Sequence, residues 1–188
     1  SPASNKNRFS ICHPASLLHL RNQFTRHHTM TADNLSNKAI RDILDDSRTI
    51  AMVGLSANWY RPSYFAAKYL LDRGYKVIPV NPNYEEILDQ ACYPDLASIK
   101  EPVDVIDLFQ RAEAIPRYVE ASAALDAKVL WMQLGIVNNE AASAARTHGM
   151  TVVMDRCMKI EYARLMGGLT WAGVNTGVIS AKRPKKVV

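Results

Sequence analysis

Cysteine is scarce in this 188-residue chain and histidine is unevenly spread, and together the two shortages remove most metal and disulfide chemistry. The cysteines stand at 12, 92 and 157 with no C-x-x-C spacing, so neither a zinc knuckle nor a disulfide framework is expected. So odd and sparse a set fits a reducing compartment, and a cytoplasmic location is expected. Four of the five histidines precede residue 30, and the remaining one, His148, reads as an exposed residue beside the helix stop at Gly149. No apolar run approaches the roughly 18 residues a membrane helix needs, so no membrane partner is expected. Also missing are the G-x-S-x-G elbow, the Walker lysine and H-E-x-x-H, which excludes the common hydrolase, nucleotidase and zinc-protease layouts.

Acidic residues are missing from the first 30 positions, which carry Lys6, Arg8, Arg21 and Arg26. Lys182, Arg183, Lys185 and Lys186 crowd the other end. With those eight set aside, 15 of the 23 basic residues remain against all 18 acidic ones, and the formal charge of +5 becomes −3 for the body. A basic face for nucleic acid is therefore not expected. Residues 1–32 read as an extension, either an over-extended reading frame or expression scar ahead of a start at Met30, or a transit peptide to the mitochondrial matrix. Residues 33–168 read as one domain, and 169–188 as a glycine-containing segment with a basic tail.

What is present is a regular alternation. Asn37 is placed to cap a short amphipathic helix running to about Ser47, with Ile40, Ile43 and Leu44 on one face. Apolar, β-branched runs at 48–53, 75–80, 103–108, 128–132 and 150–154 alternate with helical stretches at 62–73, 115–126 and 138–148. The second crossover, 82–102, is less regular, with short helices expected near 85–89 and 94–99. Five short apolar strands joined by right-handed crossovers predict a Rossmann-like, doubly wound parallel sheet in three αβα layers. The expected strand order is 3-2-1-4-5. In such sheets ligands bind beyond the strand carboxyl ends, at the point where the order reverses.

The richest strand end is the first. Thr49–Val53 runs into Gly54-Leu55-Ser56, and Arg61-Pro62-Ser63 follows, with Pro62 suited to the first turn of a helix. A glycine turn, two hydroxyls, a guanidinium and a helix N-terminus together make a phosphate cradle. One glycine stands where the dinucleotide fingerprint has three, and Asn81 stands where an adenine dinucleotide site has an acid. NAD is disfavoured; a nucleotide bearing a 3′-phosphate, or NADP, stays open. The other strand ends supply Asn81–Tyr84, Phe109–Arg111, Gln133–Ile136 and Asp155–Lys159. Asp155 and Glu161 are a candidate carboxylate pair, although an Arg-paired or solvated role suits Glu161 better. Cys157 lies between Arg156 and Lys159 at a strand end, which would favour thiolate, against the alternative of a buried structural cysteine. No nucleophile and base are set together, so an enzyme is not expected.

Six motifs in register carry a resemblance from about residue 37 to 165. They are Val53-Gly54-Leu55-Ser56, Arg61-Pro62-Ser63-Tyr64, Gly74–Pro82, Asp107-Leu108-Phe109, Leu130–Gly135 and Val153–Lys159. In these the chain resembles the stand-alone CoA-binding proteins and, through them, the CoA-binding domain of the succinyl-CoA synthetase α subunit. The resemblance implies CoA or an acyl-CoA as ligand, with Gly54, Ser56, Arg61, Pro62 and Ser63 about the phosphates. It also implies Val80, Asn81 and Pro82 on the nucleotide side, Phe109 as a wall with Arg111 near it, and Gln133 and Gly135 at the fourth strand end. The synthetase's phosphorylated histidine has no counterpart here, so binding without ligation is implied. Where the family often has Lys after the Asn-Pro pair and Arg after the Phe, this sequence has Asn83 and Gln110. A Cys157 placed near the thiol end of CoA would form a mixed disulfide under oxidation, a thiol-redox role. A homo-oligomer is compatible with all of this, and an NADP-linked oxidoreductase or a scaffold with a vestigial pocket are the alternatives.

Overall fold

The protein is described from a computed structural model, in which residues 35–166 are placed. The extension 1–32 and the tail 169–188 lie outside these residues. Helix α1 (Asn37–Asp46) is capped by Ser36, whose Oγ accepts the Ala39 N–H at 3.2 Å, one residue before the expected cap. Asn37 is engaged elsewhere: its Oδ1 accepts from Arg164 Nη2 at 2.9 Å, tying α1 to α5 (Met158–Met166).

Strands β1 (Thr49–Val53), β2 (Lys76–Val80), β5 (Val105–Leu108), β6 (Val129–Met132) and β7 (Thr151–Val153) form one parallel sheet. Every residue of β5 and β6 is buried, which is why these strands read as continuous apolar runs instead of alternating ones. Side chains still alternate between two cores. Ala51, Val53, Ile106, Leu108, Leu130 and Met132 face α3 (Val119–Ala124) and α4 (Asn139–Thr147). Ile50, Met52, Val105, Val129 and Trp131 face α1, α2 (Pro62–Asp72) and α5. At the amino end Asp104 fastens three strands, accepting the Arg48 and Thr49 N–H groups at 2.9 and 3.0 Å and Lys128 Nζ at 2.9 Å.

The strand order is β2-β1-β5-β6-β7, so the five long strands run 2-1-3-4-5 and not the expected 3-2-1-4-5. The reason lies on the outer side of β2. Tyr93 donates its N–H to the Pro79 carbonyl and accepts from the Asn81 N–H, both at 2.9 Å, so the returning chain covers that edge. Pro79 has no N–H to offer a neighbouring strand on that side, which marks an edge strand. The second crossover also departs from expectation at 85–89, where a helix was expected. A hairpin of β3 (Glu86–Ile87) and β4 (Gln90–Ala91) turns through Leu88 and Asp89, both at positive φ. Two positive-φ residues between paired strands are the signature of a tight primed turn, for which no Asn-Gly signal exists here. The expected helix at 94–99 is a single 3₁₀ turn, Leu96–Ser98, capped by Asp95.

Candidate functional site

With this order the topological reversal falls between β1 and β5, and the loops that follow them meet there. Gly54, at φ +82°, is required by that meeting as well as by the turn. A Cβ at this position would lie 2.5 Å from the Phe109 carbonyl oxygen and 2.6 Å from Gln110 Nε2. The Gly54 N–H itself continues the ladder to the Val80 carbonyl, at 2.9 Å.

Beyond Gly54 the loop is shaped by its own side chains. Ser63, 4% exposed, accepts the Ser56 N–H on its Oγ at 3.2 Å. Ser56 Oγ accepts the Asn58 N–H, and Asn58 Oδ1 accepts the Tyr60 N–H, at 3.1 and 3.0 Å. The two serines expected to face phosphate shape the loop itself, with Ser63 at its base. Helix α2 opens directly on the loop with Pro62 in its first turn, and its N-cap, Arg61, makes no side-chain capping bond. By contrast, Ser36 caps α1 and Asn138 caps α4, the latter by accepting the Ala141 N–H at 2.8 Å.

Asn81 was expected to touch the nucleotide, and its side chain is already committed. Its Nδ2 donates to the Leu55 carbonyl at 2.8 Å, and its Oδ1 accepts from the N–H and Nδ2 of Asn83 at 3.0 and 3.1 Å. It braces the loops after β1 and β2. Val80 is buried, Pro82 is exposed, Phe109 is half-buried and Arg111 is exposed on the loop after β5. Arg61 and Arg111 are thus the exposed cations among the residues expected at the site.

Gln133 and Gly135 do different work from one another. Gln133 is 5% exposed and donates from Nε2 to Asp107 Oδ1 at 2.6 Å, under the rim and not on it. Gly135, exposed and at φ +82°, donates its N–H to Asp155 Oδ1 at 2.6 Å, fastening the loop after β6 to the one after β7. Asp107 is the residue that sequence reasoning quoted without assigning. It stands between Met52 and Trp131 in register, has no exposed surface, and its Oδ2 has no partner. Burial pushes its carboxyl up to about 7, against the opposing pull of the Gln133 hydrogen bond. The available signal was an acid inside an otherwise apolar strand.

Cys157 takes the buried alternative and not the thiolate one. It is buried, and burial pushes the thiol up despite Lys159, with the Asp107 charge acting in the same direction as burial. Its basic flanks do not produce a thiolate, since burial outweighs the Lys159 charge; Arg156 makes an ion pair at 3.3 Å with Glu161. Glu161 also pairs with Arg164, so the carboxylate is bridged between two guanidiniums, as its helical position suggested. Among the described residues no group of three His, Cys, Asp or Glu side chains is placed to hold a metal ion, and no helix is long and apolar enough to cross a membrane. A cleft of about 190 Å³ near Arg48, Arg73 and Tyr75 lies at the sheet's amino end, away from the strand carboxyl ends where the loops converge.

The structure is a doubly wound α/β domain with a glycine turn leading to a helix N-terminus at the switch point, the place where ligands bind in sheets of this class. The model of the CoA binding domain matches residues 48–163, and the chain belongs to that family. It is 40% identical over 130 residues to the uncharacterized protein YneT of Bacillus subtilis, spanning 69% of this chain and 96% of that one. A solved hypothetical protein from Pyrococcus horikoshii OT3 superposes with a TM-score of 0.70 at 41% identity, covering 72% of this chain and 96% of its own. An ADP-forming acetate–CoA ligase of Archaeoglobus fulgidus is 30% identical over 78 residues, which is 40% of this chain and only 12% of the ligase.

Proposed function

We propose that this protein binds CoA across the carboxyl rim of its sheet and performs no chemistry on it. The observation that carries this reading is the N-terminus of α2, which opens without a side-chain cap onto the Gly54–Arg61 loop at the β1/β5 switch point. The positive end of the helix dipole and the charge of Arg61 at its N-cap meet there, which favours an anionic group such as a diphosphate. Membership of the CoA-binding family supports CoA as the ligand, and the absence of an acid at the end of β2 leaves room for a phosphorylated ribose. Binding alone is favoured because the two reactive candidates are otherwise occupied: the Cys157 thiol is buried with its pKa raised, and Glu161 is held by two arginines.

The test is thermal unfolding with CoA, dephospho-CoA, NAD and NADP in parallel. A ligand present at about a hundredfold over its dissociation constant adds ~2.7 kcal/mol of stability. CoA is expected to raise the midpoint most and dephospho-CoA less. No shift with millimolar CoA would sink the reading, and a shift with NADP alone would redirect it to a reductase.

A further inference from the structure

We infer that the ligand is bound as an acyl thioester, with an apolar acyl chain lying on the loop after β6 against Leu134 and Val137. The inference rests on the reading of the rim as a CoA site and adds the substrate class to it. Five large apolar side chains stand exposed among the described residues: Trp59, Tyr60, Tyr84, Leu134 and Val137. All five come from loops after β1, β2 and β6, at the carboxyl rim, and none from the outer helices or the amino end. Isolated exposed apolar residues are ordinary, but their confinement to one rim is not.

The strand order gives the rim a direction. Passing from β2 through β1 and β5 to β6, the loops present Asn81 and Pro82, then Gly54 to Ser63, then Phe109 to Arg111, then Leu134 to Val137. The cations Arg61 and Arg111 lie on the second and third of these, whereas 133–138 holds no charged residue. Strands are spaced about 4.8 Å apart, so the uncharged loop begins about 10 Å from the phosphate loop, on the side away from the nucleotide end. A ligand with its nucleotide at β2 and its phosphates at α2 runs past Phe109 and ends on this loop. The loop is held in advance, by the Gly135 N–H on Asp155 and by the Asn138 cap of α4. Leu134 and Val137 remain about half exposed, at 49% and 45%. A bare thiol would cover little of them, and a hydrocarbon chain would cover both. The direction of the rim favours a small apolar group over a second copy: Trp59, Tyr60 and Tyr84 stand on the loops after β1 and β2, and Leu134 and Val137 on the loop where a ligand running from them ends.

Calorimetric titration of the full chain with CoA, acetyl-CoA and octanoyl-CoA tests this, alongside Leu134→Ser/Val137→Ser and, as a control, Tyr84→Ser. Complete burial of one methylene corresponds to about fourfold in affinity, so partial cover of a seven-carbon tail is expected to give octanoyl-CoA at least a tenfold advantage over CoA. The double variant is expected to remove that advantage while holding CoA affinity within about twofold, and Tyr84→Ser to retain it. Equal affinity for CoA and octanoyl-CoA overturns the inference and leaves the CoA reading standing; failure of all three ligands overturns both. An advantage that survives the double variant, or self-association that the double variant abolishes, assigns the patch elsewhere and also overturns it. If the double variant loses circular dichroism signal, the single Leu134→Ser decides by the same criteria.

Discussion

Asp107 concentrates the residue-scale physics. Its folded-state carboxyl lies near 7 because burial disfavours the charge, whereas the unfolded value is near 3.8. The native state therefore holds more protons than the unfolded state between those limits, and stability falls as pH rises from about 4 to about 7. At 1.36 kcal/mol per pH unit the whole effect is at most about 4 kcal/mol. Urea midpoints at pH 5 and pH 8 are expected to fall in the parent and to be flat across that window in Asp107→Asn, which still offers an oxygen to Gln133. Gly54 is the second such residue. Gly54→Ala combines a left-handed backbone with a methyl group 2.5 Å from the Phe109 carbonyl, and backbone cannot yield as a side-chain tip can. A loss of about 3 kcal/mol or more by chemical denaturation is expected, with ligand binding lost even where the fold persists. The glycine was legible in the sequence. Its partner across the crevice was not, because Phe109 lies 55 positions away and meets it only through strand pairing.

At the scale of elements, helix ends show what local chemistry can and cannot tell. Asn138 caps α4 and its Nδ2 also reaches the Ala112 carbonyl at 2.8 Å, so Asn138→Ala is expected to cost about 1–2 kcal/mol in thermal or urea unfolding. The α1 cap lies at Ser36, itself a favoured cap residue, and Asn37 in the first turn instead accepts from Arg164, distant in sequence. In α5, Glu161 is nearly buried between Arg156 and Arg164, whose side chains stay 21% and 33% exposed. Glu161→Gln is expected to cost about 2 kcal/mol, on the low side for a broken buried pair because both guanidiniums keep contact with water. The β3–β4 hairpin places Leu88 and Asp89 at φ 56° and 58°, a conformation that branched and bulky residues adopt at a cost. Exchanging Asp89 alone for Gly, which leaves Leu88 packed on the core, is expected to raise the urea midpoint by an equivalent of about 0.5–1 kcal/mol. A helix is the natural reading of 85–89, since Leu88 opposes a primed turn and Asp89 by itself is a weak signal for one; the hairpin is closed by the Cys92 N–H on the Glu85 carbonyl at 2.8 Å.

For the whole molecule, charge and topology act together. The body carries about three more acids than bases although the whole chain is +5, so for an anion such as CoA the body itself supplies no long-range attraction. On the proposed reading, affinity comes from short-range contacts at α2 and from Arg61 and Arg111. Raising salt from 50 to 500 mM screens both the body's repulsion and the rim's attraction, and is expected to change CoA affinity by less than about threefold.

What the sequence by itself determined was the periodic content: five buried apolar runs, their intervening helices, the glycine turn leading to Pro62, and so a doubly wound sheet. These follow from burial and backbone sterics, which act over a few residues. Tertiary structure alone decided the 2-1-3-4-5 order, since right-handed crossovers permit either side of β2 and the covering of that edge by Tyr93 selects one. It likewise turned Asn81 inward as a brace, set Gln133 under the rim with Asp107, and raised the Cys157 thiol by burying it. A side chain's hydrogen-bond partner and its dielectric surroundings depend on residues brought near by the fold, and no local pattern encodes them.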